Sequence, residues 1–117
     1  MGICRIEAII SSKMVDELLD ELNGKSFAGA TISNVIGCGS QKGHYEYEAA
    51  NTRGVEIRML PKQSVVLYVE DSGLDAMLER IKKVLYTGHI GDGKIFVSEV
   101  SRVIKVRTGE EGVAALQ

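Results

Sequence analysis

Tryptophan is absent from the 117-residue chain, and aromatic residues make up only 5% of it. Proteins that bind single-stranded nucleic acid stack bases on aromatic rings, so this composition argues against that class. The formal net charge of -2 argues against duplex binding as well, because contacts to a phosphate backbone need a basic face. We therefore expect no nucleic-acid partner.

Cysteines and long apolar runs are also scarce. Cys4 and Cys38 are too few for a disulfide framework and lack a metal-ligand spacing such as CxxC, which favours a reduced cytoplasmic setting. No apolar run reaches the length of a membrane span, and the opening "MGICRIEAII" lacks the pattern of a secretory leader. Residues 1–117 are expected to form one soluble domain that contacts a membrane only through a partner.

Hydrophobic periodicity predicts two helices and at least four strands. "ICRIEAII" alternates apolar and charged residues like a half-buried strand, whereas "SVVLYVE" is apolar on both faces. The predicted helices are 13–23, with Ser12 as N-cap and Asn23-Gly24 as a stop, and a stripe from Leu74 to Leu85, with a Ser72–Asp75 capping box. The predicted strands are 3–10, 30–37, 64–70 and 94–100, with 102–107 as a fifth strand or an extension.

The order of these elements, βαββαβ, predicts a ferredoxin-like α+β fold with both helices on one face of an antiparallel sheet. Residues 38–62 lack an apolar stripe and are expected to form a long mobile loop between the second and third strands, with an inert solvated insertion as the alternative. Residues 108–117 are expected to be a loose tail or a short helix.

The segment "GHIGDGK", residues 88–94, matches the first seven positions of a Walker A motif without its context. Ile95 replaces the Ser or Thr that would hold magnesium, and the segment leads from a helix into a strand. Its glycines can still expose backbone N–H groups to an anion, with Lys94 beside them. On these residues alone, an ordinary turn fits slightly better than a phosphate site.

Two further cations favour an anion near this turn. Lys105 and Arg107 are two residues apart on a predicted strand and therefore share a face. We expect the last strand to lie on the third-strand side, which would bring both cations toward residues 88–94, where they repel Lys94 unless an anion is present. A solvated strand face without a ligand is the alternative.

A second glycine cluster, "GCGSQKG", does not fit the dinucleotide fingerprint, because its third glycine comes late and no helix follows. Its Gln41 and Lys42 can still bind a carboxylate or phosphate. The chain offers no catalytic constellation, and an acylphosphatase-type enzyme would need an arginine after the first strand, where "SSK" has none. A nucleotide-free structural trimer of the CutA type is disfavoured by the GDGK turn. We expect a binding protein and not an enzyme.

The chain resembles the PII family of nitrogen and energy signal-transduction proteins. The stretch "TGHIGDGKIFVSEV" fits the family's C-terminal signature throughout, and "IEAII", "GCGSQKGH", "LPK" and "VIKVRTGEE" follow in family order. The resemblance implies a cytoplasmic homotrimer that binds ATP or ADP in the three clefts between ferredoxin-like subunits. It also implies that residues 38–62 are the family's T-loop, which grips a target such as a transporter or an enzyme of nitrogen metabolism.

Carried over by position, the resemblance implies a set of ligand-binding residues. One wall of the cleft would contain Thr31, Gly37, Gly39, Ser40 and Gln41. The phosphates would be received by Gly91, Asp92, Gly93 and Lys94, joined by Lys105 and Arg107 of the adjacent subunit. Gln41 would also hold a magnesium ion shared by ATP and 2-oxoglutarate, and the 2-oxoglutarate set would be Gln41, Lys42, Gly43 and Lys62.

Several residues depart from the family pattern. The signature that ends in a modifiable tyrosine is absent, although Tyr45 and Tyr47 lie near the start of the loop. Ser40 stands where many members have an arginine, and Lys105 replaces an arginine, which loses a bidentate fork for phosphate. These departures indicate a divergent member. The alternative function is therefore a sensor of another pathway, linked to bicarbonate or a transport substrate, that binds adenine nucleotides without 2-oxoglutarate.

Overall fold

The computed structural model describes residues 2–23, 29–42, 55–89 and 91–117, with only the backbone described at 39–42 and 55–58. The elements are β1 (Ile3–Ile10), α1 (Val15–Leu22), β2 (Thr31–Lys42), β3 (Val55–Glu70), α2 (Leu74–Leu85) and β4 (Lys94–Val100). Short 3-10 helices at Ser12–Met14, Asp71–Gly73 and Gly112–Leu116 complete the described structure. The predicted βαββαβ order is confirmed, and the last of the 3-10 helices accounts for the short helix expected in the tail.

The four strands form one antiparallel sheet in the order β2-β3-β1-β4. The expectation that the last strand lies on the third-strand side is wrong, because β1 separates β4 from β3. Each helical connection in this fold skips one strand position, and the skipped position is filled by a strand from the other half of the chain. The hydrophobic periodicity of a single segment does not show which strands become neighbours in the sheet.

The two helices cover one face of the sheet and build the core. Ile6, Ala8 and Ile10 are fully buried, as the alternation in β1 predicts, and they pack in one cluster with Leu18 of α1 and Ile81 of α2. Burial of one such Leu or Ile side chain contributes roughly 1.5–3 kcal/mol. The helices are therefore held mainly by this apolar contact.

The predicted N-caps are wrong. The chain enters each helix through a 3-10 turn, so α1 begins at Val15 after Met14, and α2 begins at Leu74 after Gly73, with no side-chain cap hydrogen bond at either start. Ser12 lies inside the first of these 3-10 turns and cannot act as the cap. The stop of α1 at Asn23 and the extent of α2 agree with the prediction.

The strands around the long connection extend further than predicted. β2 continues to Lys42 and β3 begins at Val55, so both ends of the expected loop 38–62 are paired strand, and residues 43–54 lie outside the described residues. β1 ends opposite Gln63, so the rows beyond it form a two-stranded ribbon. Among the strands that the structure describes, none pairs with the ribbon besides its own two, and no burial by a third strand imposes an apolar alternation there.

Two other strand predictions are wrong. β3 is not apolar and buried on both faces: Val65, Leu67 and Val69 are buried on one face, whereas Tyr68 on the other is 42% exposed. The predicted strand 102–107 is a turn-rich segment that pairs only through an isolated bridge between Ile104 and Glu111. Its apolar alternation does not reflect burial within the subunit, because Val106 is 96% exposed.

Candidate functional site

The turn that precedes β4 is closed by a carboxylate. Asp92 accepts hydrogen bonds from the backbone N of Thr87 at 2.8 Å, from the backbone N of Gly88 at 3.0 Å and from the Thr87 hydroxyl. The backbone N of His89 donates in turn to the Thr87 hydroxyl oxygen, at 3.2 Å. The carboxylate of Asp92 is thus engaged by the turn itself, and Asp92 shapes the turn through these bonds.

These hydrogen bonds also fix the charge of the turn. They lower the pKa of Asp92 below its ordinary value, chiefly through the Thr87 hydroxyl and then the Thr87 backbone N–H, since each donor stabilises the ionised carboxylate. The turn therefore carries a negative charge at neutral pH, directly before the positive charge of Lys94. Thr87 was not among the predicted site residues, although its spacing of five residues from Asp92 was visible in the sequence.

Gly91 and Gly93 both have positive φ, at 105° and 95°. A Cβ on Gly93 would lie 2.5 Å from the carbonyl oxygen of Ile9, so the turn rests directly on the end of β1. A Cβ on Gly91 would meet nothing within 4 Å. The two glycines thus have different roles, one permitting close backbone contact and the other leaving the backbone open to solvent.

Lys94 begins β4 on the face of the sheet that the helices do not cover. Directly paired residues of an antiparallel sheet point to the same face, and Lys94, Ile9, Ser64 and Ser33 form one such row across all four strands. Lys94 forms no ion pair with another residue of the described ranges. The row therefore places a cation at the β4 edge of the open face.

The second glycine cluster lies along β2, at the opposite edge of the sheet. Gly37 is paired with Leu60, and the Cγ of Lys62 lies 3.4 Å from the position that a Cβ on Gly37 would take, so the lysine stem packs over the glycine. Gly39 follows on the same face, paired with Arg58. The backbone of Ser40, Gln41 and Lys42 continues β2, but their side chains and the whole of Gly43 lie outside the described structure.

Thr31 lies six residues before Gly37 on β2, which separates the two by about 20 Å along the strand. Thr31 lines a cavity of about 590 Å³ on the open face, together with Tyr68 of β3 and with Val103 and Leu116 of the C-terminal segment. The structure therefore places Thr31 beside the segment that carries Lys105 and Arg107, and away from the rest of the predicted cleft wall.

The expectation that Lys105 and Arg107 approach the 88–94 turn of their own subunit is wrong. After β4 the chain crosses the open face toward the β2 edge, where the C-terminal segment meets Thr31. Lys94 remains on β4, three strand spacings away, which is about 14 Å. The strand arrangement from which the approach of these cations was inferred is therefore not found in the subunit.

A polar cluster that the sequence reasoning missed lies at the centre of the open face. Arg5 donates to Glu7 at 3.3 Å, and the Ser64 hydroxyl donates to the other carboxylate oxygen of Glu7 at 2.6 Å. The bond from Ser64, followed by those from Arg5, lowers the pKa of Glu7, while a hydrogen bond with Tyr68 raises the pKa of Arg5. The sequence signal for this cluster is the pair Arg5 and Glu7, which alternates with the apolar residues of β1.

Within the described ranges, no helix is long and apolar enough to cross a membrane. The same residues contain no group of three or more His, Cys, Asp or Glu side chains that could hold a metal ion. Cys4 is buried, Cys38 is exposed, and both are free thiols.

The fold and the turn before β4 define a small ferredoxin-like domain with a glycine-rich turn and a lysine at one sheet edge. Comparison with known proteins shows the family to which this domain belongs. The family model "Nitrogen regulatory protein P-II" matches residues 3–110. Nitrogen regulatory protein P-II of Rhizobium meliloti is 42% identical over 96% of this chain and 98% of its own length, and nitrogen regulatory protein GlnK of Escherichia coli is 40% identical over 95% and 97%.

Solved structures agree. GlnK of Bacillus subtilis superposes with a TM-score of 0.81 at 38% identity, covering 98% of this chain and 99% of that one. The GlnK–ATP complex of B. subtilis gives 0.82 at 34% identity, with 97% and 95% covered. Arabidopsis thaliana PII bound to citrate gives 0.76 at 29% identity, with 97% and 92% covered. The chain belongs to the P-II family of nitrogen regulatory proteins, which confirms the resemblance noted in its sequence.

Proposed function

We propose that the protein is a homotrimeric regulator that binds ATP or ADP in the clefts between its subunits. The observation that carries the proposal is the position of its two groups of cations at opposite edges of one sheet. Lys94 and its glycine turn lie at the β4 edge, whereas the segment of Lys105 and Arg107 meets the β2 edge. In a closed ring with head-to-tail contacts, the β4 edge of each subunit meets the complementary edge of its neighbour.

An adenine nucleotide suits such a cleft. The backbone of the glycine turn is open at Gly91 near Lys94, and the neighbour would add the charges of Lys105 and Arg107, so the assembled cleft would bring together three cations that a polyanion can bind. The uncovered apolar surface of the sheet, which includes Phe96 at 51% exposure, would be buried by the neighbouring subunits. The ATP complex of the related GlnK supports this choice of ligand.

Magnesium and 2-oxoglutarate are part of the proposal. The described residues hold no metal-binding group of carboxylates and histidines, so a magnesium ion would be held chiefly by the phosphate oxygens, with Gln41 as its protein ligand. The co-ligand's carboxylates would pair with Lys62, whose stem already packs beside Gly37. The polycarboxylate citrate in the related Arabidopsis protein supports a ligand of this class.

The proposed output is a change in the connection between β2 and β3, which would bind a target protein such as a transporter or an enzyme of nitrogen metabolism. ATP and ADP differ in charge at the base of this connection, where Gln41 and Lys42 end β2. A ligand that binds one arrangement of the connection better shifts the population toward it. The protein itself would carry out no reaction.

The shared cleft can be tested by mixing two defective subunits. Lys94→Ala and Arg107→Ala trimers are each expected to bind ATP more than tenfold more weakly, a loss of about 1.4 kcal/mol or more. After the subunits are mixed in equal amounts and reassembled, about one quarter of the clefts should combine an intact Lys94 with an intact Arg107. Calorimetry should then recover that fraction of tight sites.

Failure to recover tight binding on mixing would contradict a cleft shared between subunits, as would the mass of a monomer in solution. Calorimetry of the unaltered protein without any heat from ATP or ADP would contradict nucleotide binding altogether. Repeating the ATP titration with magnesium and 2-oxoglutarate separates the two candidate pathways: unchanged ATP affinity would favour the sensor that does not use 2-oxoglutarate.

A further inference from the structure

Lys105 already has protein partners in the subunit. Its ammonium group donates to the main-chain oxygen of Gln117 at 2.6 Å and lies 4.0 Å from the carboxylate of Glu110. Its side chain is only 27% exposed. Lys94, by contrast, forms no ion pair within the described ranges. The two lysines assigned to the phosphates thus differ in how available they are.

Several contacts hold Gln117 in this position. The chain folds back on itself after β4, with a bridge between Ile104 and Glu111, and Arg102 donates to the carboxylate of Glu111 at 2.9 and 3.4 Å. The backbone N of Gly112 donates to the carbonyl of Val103 at 3.1 Å and starts the 3-10 helix.

This helix, Gly112–Leu116, is anchored on the open face of the sheet. Ala115 and Leu116 line the cavity that also contains Thr31 and Tyr68, and both are half-buried. Ala114 points away and is exposed. The apolar contact of Leu116 with this cavity therefore fixes the position of Gln117, whose main-chain oxygen accepts the hydrogen bond from Lys105.

A bound phosphate would have to replace these partners. The main-chain oxygen of Gln117 occupies one of the three N–H donors of Lys105, and as a negatively polarised acceptor it opposes a phosphate at the same side of the ammonium group. The nearby carboxylate of Glu110, itself held by a hydrogen bond from the Thr108 hydroxyl at 2.9 Å, repels phosphate while it stays beside Lys105. Docking of the helix and phosphate binding by Lys105 therefore oppose each other.

We propose that the C-terminal 3-10 helix is an autoinhibitory element that competes with the nucleotide phosphates for Lys105. The inference rests on the proposed nucleotide site and adds its regulation. Coupling between two sites is reciprocal, so the docked helix weakens nucleotide binding and a bound nucleotide releases the helix by the same factor. A partner that captures the released helix would then raise the affinity for nucleotide.

The matched pair Leu116→Ser and Ala114→Ser tests this competition in the full chain. Both substitutions place the same small polar side chain on the helix, but only the first removes the anchor in the cavity. Leu116→Ser is expected to bind ATP about fivefold more tightly than the unaltered protein, because Lys105 no longer donates to the main-chain oxygen of Gln117. Ala114→Ser should leave the affinity unchanged. Unchanged or weaker binding by Leu116→Ser would overturn the inference.

Two further measurements separate this inference from the function it rests on. In a Lys105→Met background, the gain from Leu116→Ser should vanish, because no ammonium group is left to compete for. Hydrogen exchange at residues 112–117 should quicken when ATP saturates the unaltered protein, whereas protection by ATP would show that the helix completes the site. Equal affinities in all variants would overturn only the competition, while absence of nucleotide binding in every variant would overturn the proposed function with it.

Discussion

At the scale of single residues, the turn before β4 has two structural requirements, and different residues of its sequence meet them. Its backbone must adopt positive φ at Gly91 and Gly93, and its open end must be tied back to the start of the turn. Asp92 meets the second requirement with hydrogen bonds to Thr87 and Gly88. Lys94 is then presented from a shaped turn, and little ordering remains for a ligand to impose.

Gly93→Ala should destabilise the fold more than Gly91→Ala. Both substitutions put a side chain at positive φ, which costs roughly 1–2 kcal/mol. Only at position 93 would the new Cβ also meet a backbone atom, the carbonyl oxygen of Ile9 at 2.5 Å, so we expect a loss of about 3 kcal/mol there. Urea unfolding of the two variants measures the difference, and equal losses would show that the turn does not rest on β1 as described.

Asp92 should give the stability a defined dependence on pH. Its folded-state pKa is lowered, so its hydrogen bonds stabilise the fold fully above the pKa of the unfolded chain, near pH 4. That contribution is lost as the pH falls through the lower folded-state pKa. The difference in unfolding free energy between the unaltered protein and Asp92→Asn should therefore be constant from about pH 7 to 5 and shrink toward about pH 3.

Asp20→Asn, which alters an exposed carboxylate of α1, is the control for this pH series. It removes a charge of the same sign without touching the turn. A difference for Asp92→Asn that stays constant down to about pH 3 would contradict the role given to its hydrogen bonds.

At the scale of elements, the sequence was most informative where a segment faces the core. β1, β4 and α2 were predicted within a residue or two. In β1 and α2, one buried face imposes a period on the side chains, whereas β4 has no fully buried residue and was predicted from its apolar composition after the glycine turn. β2 and β3 were cut short at Gly37 and Ser64, since the ribbon beyond them packs against no third strand of the described structure. The glycine turn and its lysine could be identified from residue type and spacing. Their position relative to Lys105 could not be predicted, because it depends on the order of the strands in the sheet.

The core contact of α1 can be measured directly. Leu18 is fully buried against the sheet and α2, so Leu18→Ala should lower the unfolding free energy by roughly 2–5 kcal/mol. Glu17→Ala, on the exposed side of the same helix, should change it by less than about 0.5 kcal/mol. Comparable effects of the two substitutions in thermal unfolding would mean that α1 does not pack as described.

At the scale of the whole molecule, one face of the sheet is not covered by the two helices, and the C-terminal segment covers only part of it. Phe96 and Tyr68 are 51% and 42% exposed there, on either side of the Glu7 cluster. Phe96→Lys should therefore yield monomers in light scattering, since three buried lysines would oppose assembly. Ile36→Lys puts the same charge on the other face, where Ile36 is 70% exposed, and should leave the mass of the proposed trimer unchanged. A trimer in both variants would place the interface elsewhere.

The two-stranded ribbon of β2 and β3 extends beyond the end of β1, so a small rotation at its base would displace its far end. From Lys62 to Val55 the backbone of β3 runs for about 24 Å with β2 as its only strand neighbour in the described part of the chain, and two-stranded ribbons twist more than wider sheets. A rotation of about 10° at its base, where Lys62 packs over Gly37, carries its far end through about 4 Å. Small rearrangements around one metabolite would thereby be magnified into a displacement large enough to engage or disengage a second macromolecule.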